Sequence, residues 1–127
     1  MPRKNTMEFI MRLFKTTKRK VCFRDNMDRI GKLYLPLSLL DKMNISDEII
    51  VQLAPKKSDF STGGYATRFV YEKETTKKIR FTEDITEIGE LGIIYISKSI
   101  LEIMGLQDEI AVRVVSTKGI GGAAVGC

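Results

Sequence analysis

One stretch of this chain occurs twice. Residues 31–51 return 61 positions later as residues 92–112. Nine positions are identical, Gly31/Gly92, Tyr34/Tyr95, Ser38/Ser99, Leu40/Leu101, Met43/Met104, Asp47/Asp108, Glu48/Glu109, Ile49/Ile110 and Val51/Val112. Five of the other twelve exchange one apolar residue for another, so much of the pattern of burial recurs along with the letters. Two copies of one supersecondary unit, each too short to bury a core of its own, must share a core.

The echo extends upstream. Residues 16–24 align with 75–82 once a one-residue gap is placed at Lys20, and Phe9 to Phe14 then faces Arg68 to Tyr71. Spacing alone leaves the N-terminal segment open, because Met7, Ile10, Met11 and Phe14 fit a helix while Met7, Phe9, Met11 and Leu13 alternate as in a strand. The matching run 66–72 is rich in β-branched and aromatic residues and favours a strand for both. Each unit then reads as a hairpin with a polar tip (15–20; 73–78), a loop ending in glycine, a strand (32–36; 93–97), a short helix (37–43; 99–104) and a last strand. Pro36 suits the first position of one helix, Ser97 or Ser99 caps the other, and Asn44 and Gly105 stand where a left-handed residue ends a helix. The predicted organisation is a single domain over 1–116, with unit one at 7–53, a connector at 54–65, unit two at 66–114, and a glycine-rich flexible tail over 117–127.

The net charge of +5 is unevenly placed. Residues 1–24 carry eight basic side chains against the single acid Glu8, whereas residues 25–127 carry 13 basic and 15 acidic ones. A basic leading segment points to a polyanionic partner; the bland alternative is a lysine-rich surface that serves solubility. Histidine is absent and the two cysteines, Cys22 and Cys127, lie far apart in sequence. That excludes a histidine general base, a serine-histidine triad and a zinc site, and favours a reducing compartment without a disulfide framework. No apolar run approaches the ~20 residues that cross a bilayer, and no signal-peptide core follows the basic start, so a cytoplasmic protein without membrane association is expected.

The segment Asp28-Arg29-Ile30-Gly31-Lys32-Leu33-Tyr34-Leu35-Pro36, followed by a leucine-rich helix and Asp47-Glu48-Ile49, resembles the AbrB/SpoVT-type swapped-hairpin family. Unit one keeps that family's aspartate (Asp28), glycine (Gly31), following basic residue (Lys32) and proline (Pro36). Unit two keeps Gly92 and the Asp108-Glu109-Ile110 turn but has Ile93 and Ser97 where the basic residue and the proline belong. The resemblance implies a mainly β fold with two short helices: a pseudo-twofold, single-chain β-barrel of two β-β-β-α-β units, related to the double-psi and RIFT barrels. It also implies DNA binding as a transcriptional regulator. Related barrels serve as protein-interaction modules too, so fold and function need separate arguments.

For duplex DNA, the expected contacts are Arg3 and Lys4 on the N-terminal arm and Lys15, Lys18, Arg19 and Lys20 on the first hairpin. Arg24, Arg29 and Lys32 stand at positions that the resemblance marks as basic contacts, and Lys77, Lys78 and Arg80 would give the second half of a footprint. Against each stands a structural alternative. Exposed lysines also guard strand edges, Gly31 and Gly92 serve backbone turns, and the Asp-Glu pairs close turns before strands. Tyr34, Tyr95 and the methionines read as barrel and core residues. Without paired carboxylates, an activated nucleophile or a phosphate-cradling loop, no catalytic residue, metal ligand, cofactor or small-molecule substrate is expected. The alternative reading is a protein-interaction or assembly module, and self-association is left open.

Overall fold

Along β1 (Met7–Thr16), Phe9 and Met11 turn inward while Glu8, Ile10 and Arg12 face solvent, the two-residue period of a half-buried strand. The strand reading of the N-terminal segment therefore holds. In this computed structural model, which describes residues 6–117, seven further strands follow. They are β2 (Lys20–Arg24), β3 (Leu33–Pro36), β4 (Glu48–Ala54), β5 (Tyr65–Glu74), β6 (Lys78–Glu83), β7 (Ile93–Ser97) and β8 (Glu109–Ser116). Arg3, Lys4, Cys127 and nearly all of the glycine-rich tail lie outside the described residues.

The strands form one antiparallel sheet in the order β3-β2-β1-β4-β8-β5-β6-β7. Its two ends meet. Ile30 bridges Ile96, the Gly31 amide donates to the Tyr95 carbonyl at 2.8 Å, and the Ser97 amide donates to the Arg29 carbonyl at 2.8 Å. The result is a nearly closed eight-stranded barrel, which removes most of the edge an open sheet would expose. Inside are Phe23, Leu33, Leu35, Ile49, Leu53, Phe69, Phe81, Ile94, Ile96 and Ile110, all fully buried. Each such side chain contributes about 1.5–3 kcal/mol of transfer free energy.

Helices α1 (Leu37–Met43) and α2 (Lys98–Met104) follow β3 and β7. α1 buries Leu39 and Leu40 with Met43 packed against the core three and four residues on, and α2 buries Ile100, Leu101 and Met104 at the same spacing, as expected of a one-sided helix. Asn44 (φ 57°) and Gly105 (φ 70°) end them in the left-handed conformation, as predicted. The starts differ slightly from expectation. Pro36 is the residue before the first helical position and makes no side-chain cap, and α2 begins one residue early, at Lys98; Ser97 caps it, as expected, by accepting from the Ser99 amide. The connector also holds a short 3-10 turn, Lys57–Asp59, that its loop-like composition did not announce.

The hairpin ladders of the two halves run in step. Leu13 pairs with Phe23 and Tyr71 with Phe81, each 58 positions on, and both hairpins carry a bulge, at Phe14 and at Glu72. A one-residue gap at Lys20 is therefore not needed. The length difference sits in the loops after the hairpins instead: Phe23 pairs with Leu33, whereas Phe81 reaches over three more residues to Ile94. Gly31 and Gly92 have distinct duties as well. A side chain on Gly31 would meet Tyr95 Cβ at 2.8 Å, so this glycine permits close approach at the seam, while only Gly92 has the left-handed φ of 75° that its expected turn role calls for.

Candidate nucleic-acid interface

The first hairpin is a rigid mount for exposed cations. At its turn the Thr17 amide donates to the Lys20 carbonyl at 2.8 Å, and the Thr17 hydroxyl accepts from the Lys20 amide at 3.1 Å. The Leu37 amide donates to the Arg19 carbonyl, tying the tip to the start of α1. On this fixed backbone Lys15, Lys18, Arg19 and Lys20 are all exposed, and none makes an ion pair among the described residues.

Register places further cations on the outer face of β1, β2 and β3. Phe23 and Leu33 point inward as a pair, so their neighbours Arg24 and Lys32 point out. Arg24 Cζ lies 4.3 Å from the centre of the Phe14 ring and Lys32 Nζ lies 5.0 Å from it. Arg12, on the same strand as Phe14, pairs with Glu48 at 3.3 Å.

Arg29 is placed differently from the other first-half candidates. Its Nε and Nη2 donate to the two oxygens of Asp25 at 3.0 and 2.9 Å, its own amide donates to Asp25 Oδ2 at 2.8 Å, and its guanidinium covers the Phe9 ring. Burial pushes the Asp25 carboxyl toward the neutral form, but the Arg29 hydrogen bonds and charge outweigh it and hold the carboxyl below its ordinary range. The Asp25 hydrogen bonds raise the Arg29 guanidinium in turn. Arg29 is thus committed to bracing the loop that leads into β3.

The second hairpin has the same backbone and different electrostatics. Thr75 repeats the turn bonds to Lys78, and the Lys98 amide donates to the Lys77 carbonyl. Lys77 is exposed, but Lys78 pairs with Asp28 at 3.0 Å and Arg80 stands 3.0 Å from Glu72. Lys98 pairs with Glu74, and Arg68 with Asp84 and Glu109. At the positions of Arg12, Phe14, Arg24 and Lys32 this half has Val70, Glu72, Thr82 and Ile93. A groove of about 710 Å³ along α2 is lined by Glu74, Glu102, Asp108 and Glu109 against Lys98. The predicted residues therefore separate into a first-half cluster of free cations and a second-half set that is largely neutralised.

Three contributors escaped sequence reasoning. Phe14 carries no motif; its signal is the bulge, which only strand pairing reveals. Glu83 Oε2 accepts from Tyr65 and Thr67 at 2.7 and 2.5 Å, and its Oε1 from the amides of Leu91 and Gly92 at 2.8 and 2.6 Å. Burial, reinforced by this carboxylate, pushes the Tyr65 hydroxyl up to about 12. Arg113 is nearly buried and fastens the connector to the barrel. Among the described residues no group of His, Cys, Asp and Glu side chains could hold a metal ion, and no helix is long and apolar enough to cross a membrane.

No protein-family model matches this sequence, and no curated protein matches it.

Proposed function

We propose that this chain is a DNA-binding protein, an AbrB-like transcriptional regulator whose two β-β-β-α-β units are fused into one pseudo-twofold barrel. The duplication is supported by hairpin ladders that keep one offset, by bulges at matching positions and by left-handed residues at matching helix ends. DNA binding rests on one observation above the rest. Lys15, Lys18, Arg19 and Lys20, with Arg24 and Lys32 nearby, stand exposed and without carboxylate partners on a hydrogen-bonded frame. Free cations at fixed spacing release counterions from a phosphate backbone, the main source of affinity for duplex DNA. Arg3 and Lys4 extend the same charge upstream, and Lys77 is the second hairpin's contribution to an asymmetric footprint.

A mobility-shift series on duplex DNA at two salt concentrations tests this reading. The four tip contacts alone should contribute about −3 to −4 to the slope of log affinity against log salt, at about −0.9 for each phosphate neutralised. Changing Lys15, Lys18, Arg19 and Lys20 to Glu should abolish the shift. Absence of a shift by the unaltered protein at low salt would remove the reading.

A second reading, a protein-interaction or assembly module, is favoured by the loop between β6 and β7. Ile85 and Ile88 are 94% and 79% exposed there. The loop is braced by Asp84 on Arg68, by Glu87 on Lys57, and by the Glu90 amide on Tyr65. Large exposed apolar residues on a rigid loop are a recognisable docking feature. Light scattering over a concentration series, with Ile85 and Ile88 changed to Ser, tests its self-assembly form; a mass that stays monomeric throughout argues against it.

A further inference from the structure

We infer that Phe14 is a positioning residue that holds Arg24 and Lys32 as a ready-made cationic doublet for the DNA backbone; this rests on the DNA-binding reading above. Phe14 lies at the bulge between Leu13 and Lys15, on the outward face of β1 with Glu8, Ile10 and Arg12, and is 40% exposed. Arg24 Cζ and Lys32 Nζ both lie within 5.0 Å of its ring centre, although Arg24 ends β2 and Lys32 stands across a loop from it, just before β3.

The way a cation is held decides what it can still do. Asp25 fixes Arg29 by taking two of its donors and cancelling its charge. The ring of Phe14 fixes Arg24 and Lys32 through its quadrupole, which leaves the charge uncancelled and the N–H groups free. Side chains already confined to one geometry lose less rotamer freedom when an anion arrives. Two like charges around one ring also repel each other, a cost that an incoming phosphate relieves.

The corresponding position in the second half shows the contrast. There the bulge carries Glu72, which stands against Arg80, while Thr82 and Ile93 replace Arg24 and Lys32. Without the two cations the bulge holds a carboxylate, and with them it holds an aromatic ring. That correlation points to Phe14 as part of a cation-presenting device rather than a stray exposed apolar residue.

The test is a fluorescence-anisotropy titration of a labelled DNA duplex at two salt concentrations. It uses the full chain and its F14L, F14A and F14Y variants, with circular dichroism melts to verify folding. F14L and F14A should weaken binding roughly threefold to tenfold, and F14Y, which keeps the ring, should bind like the unaltered protein. Because both charges remain, the salt slope of F14L should not change. R24Q/K32Q should flatten that slope by about 1.8, at 0.9 per lost contact. In that background F14L should have no further effect.

Unchanged affinity of both F14L and F14A overturns the proposal while leaving DNA binding intact. An equal loss from F14L in the R24Q/K32Q background also overturns it, since Phe14 would then act by itself. Failure of the unaltered protein to bind any duplex at low salt overturns the DNA-binding reading and this proposal together.

Discussion

Asp25 and Glu83 stand 58 positions apart at the same point of the two hairpin ladders, and each carboxylate folds the loop that follows it. Asp25 takes the amide and guanidinium of Arg29, and the loop then reaches across the seam to Tyr95 and Ser97. Glu83 takes the amides of Leu91 and Gly92, while its own amide donates to the Gly92 carbonyl. The first loop is spent on closing the barrel and the second on bonding to its own strand.

Removing the first carboxylate should loosen the seam. In D25A the half-buried Arg29 guanidinium loses both of its carboxylate hydrogen bonds, and the expected loss is about 2–3 kcal/mol by urea denaturation. The pH dependence has a definite sign. The Asp25 carboxyl lies below its ordinary value of 3.8 in the folded chain, so its contribution is present above that value and is lost as pH falls through the depressed native value. Acid unfolding followed by circular dichroism should lose that component in D25N, and an unchanged acid limb would count against the role given to Asp25.

Glu83 should show its importance at the opposite end of the pH range. Tyr65 titrates near 12 in the folded chain against 10 for an ordinary tyrosine, so the unfolded chain loses this proton first. Its stabilisation is fully present below pH 10 and declines as pH rises toward 12. Absorbance titration at alkaline pH should reveal a phenol titrating near 12 that disappears in Y65F. E83Q should lower that transition and cost about 1–3 kcal/mol, because an amide cannot accept on both sides.

The two glycines of the echo should respond differently to substitution. G31A drives a methyl group into Tyr95 Cβ at 2.8 Å, so the seam must shift, and replacing Gly31 by Asn should be no better than by Ala. Gly92 has open space around it and a left-handed backbone. There G92A should cost about 1 kcal/mol and G92N less, since asparagine tolerates that conformation. Denaturation midpoints for the four variants check this; equal rescue by asparagine at both sites would contradict it.

The strand-helix-strand part of each unit is legible in the sequence because its signals are local. Asn44, Gly105 and the buried leucines lie within a few residues of the ends they mark. The hairpins are less legible. Matching the threonine-lysine runs favours a gap at Lys20, whereas the ladders keep one offset and place the three extra residues in the β6–β7 loop. That displacement hides the matching register of Phe14 and Glu72. Charge is legible as composition, but its availability is not. Arg24 and Arg29 look alike as letters, and only the fold puts one over a phenyl ring and the other against a buried carboxylate.

Arg113 offers the sharpest test of how the halves are joined. It pairs with Gln52 across β4 and β8, and its Nη1 donates to the Gln52 side chain at 2.9 Å and the Ser61 hydroxyl at 3.1 Å. Its Nε and Nη2 donate to the carbonyls of Gly63 and Thr62 at 2.8 and 2.9 Å. One nearly buried guanidinium thus satisfies two connector carbonyls and pins the chain just before β5. R113M keeps much of the side-chain volume but strands those acceptors, and the expected loss is about 2–4 kcal/mol. R113K keeps the charge without the planar fork and should recover only part of it. The connector should also become the first site of protease cleavage in R113M, within 56–64, ahead of global unfolding. Cleavage that instead tracks global stability would mean that the connector is held by its backbone alone.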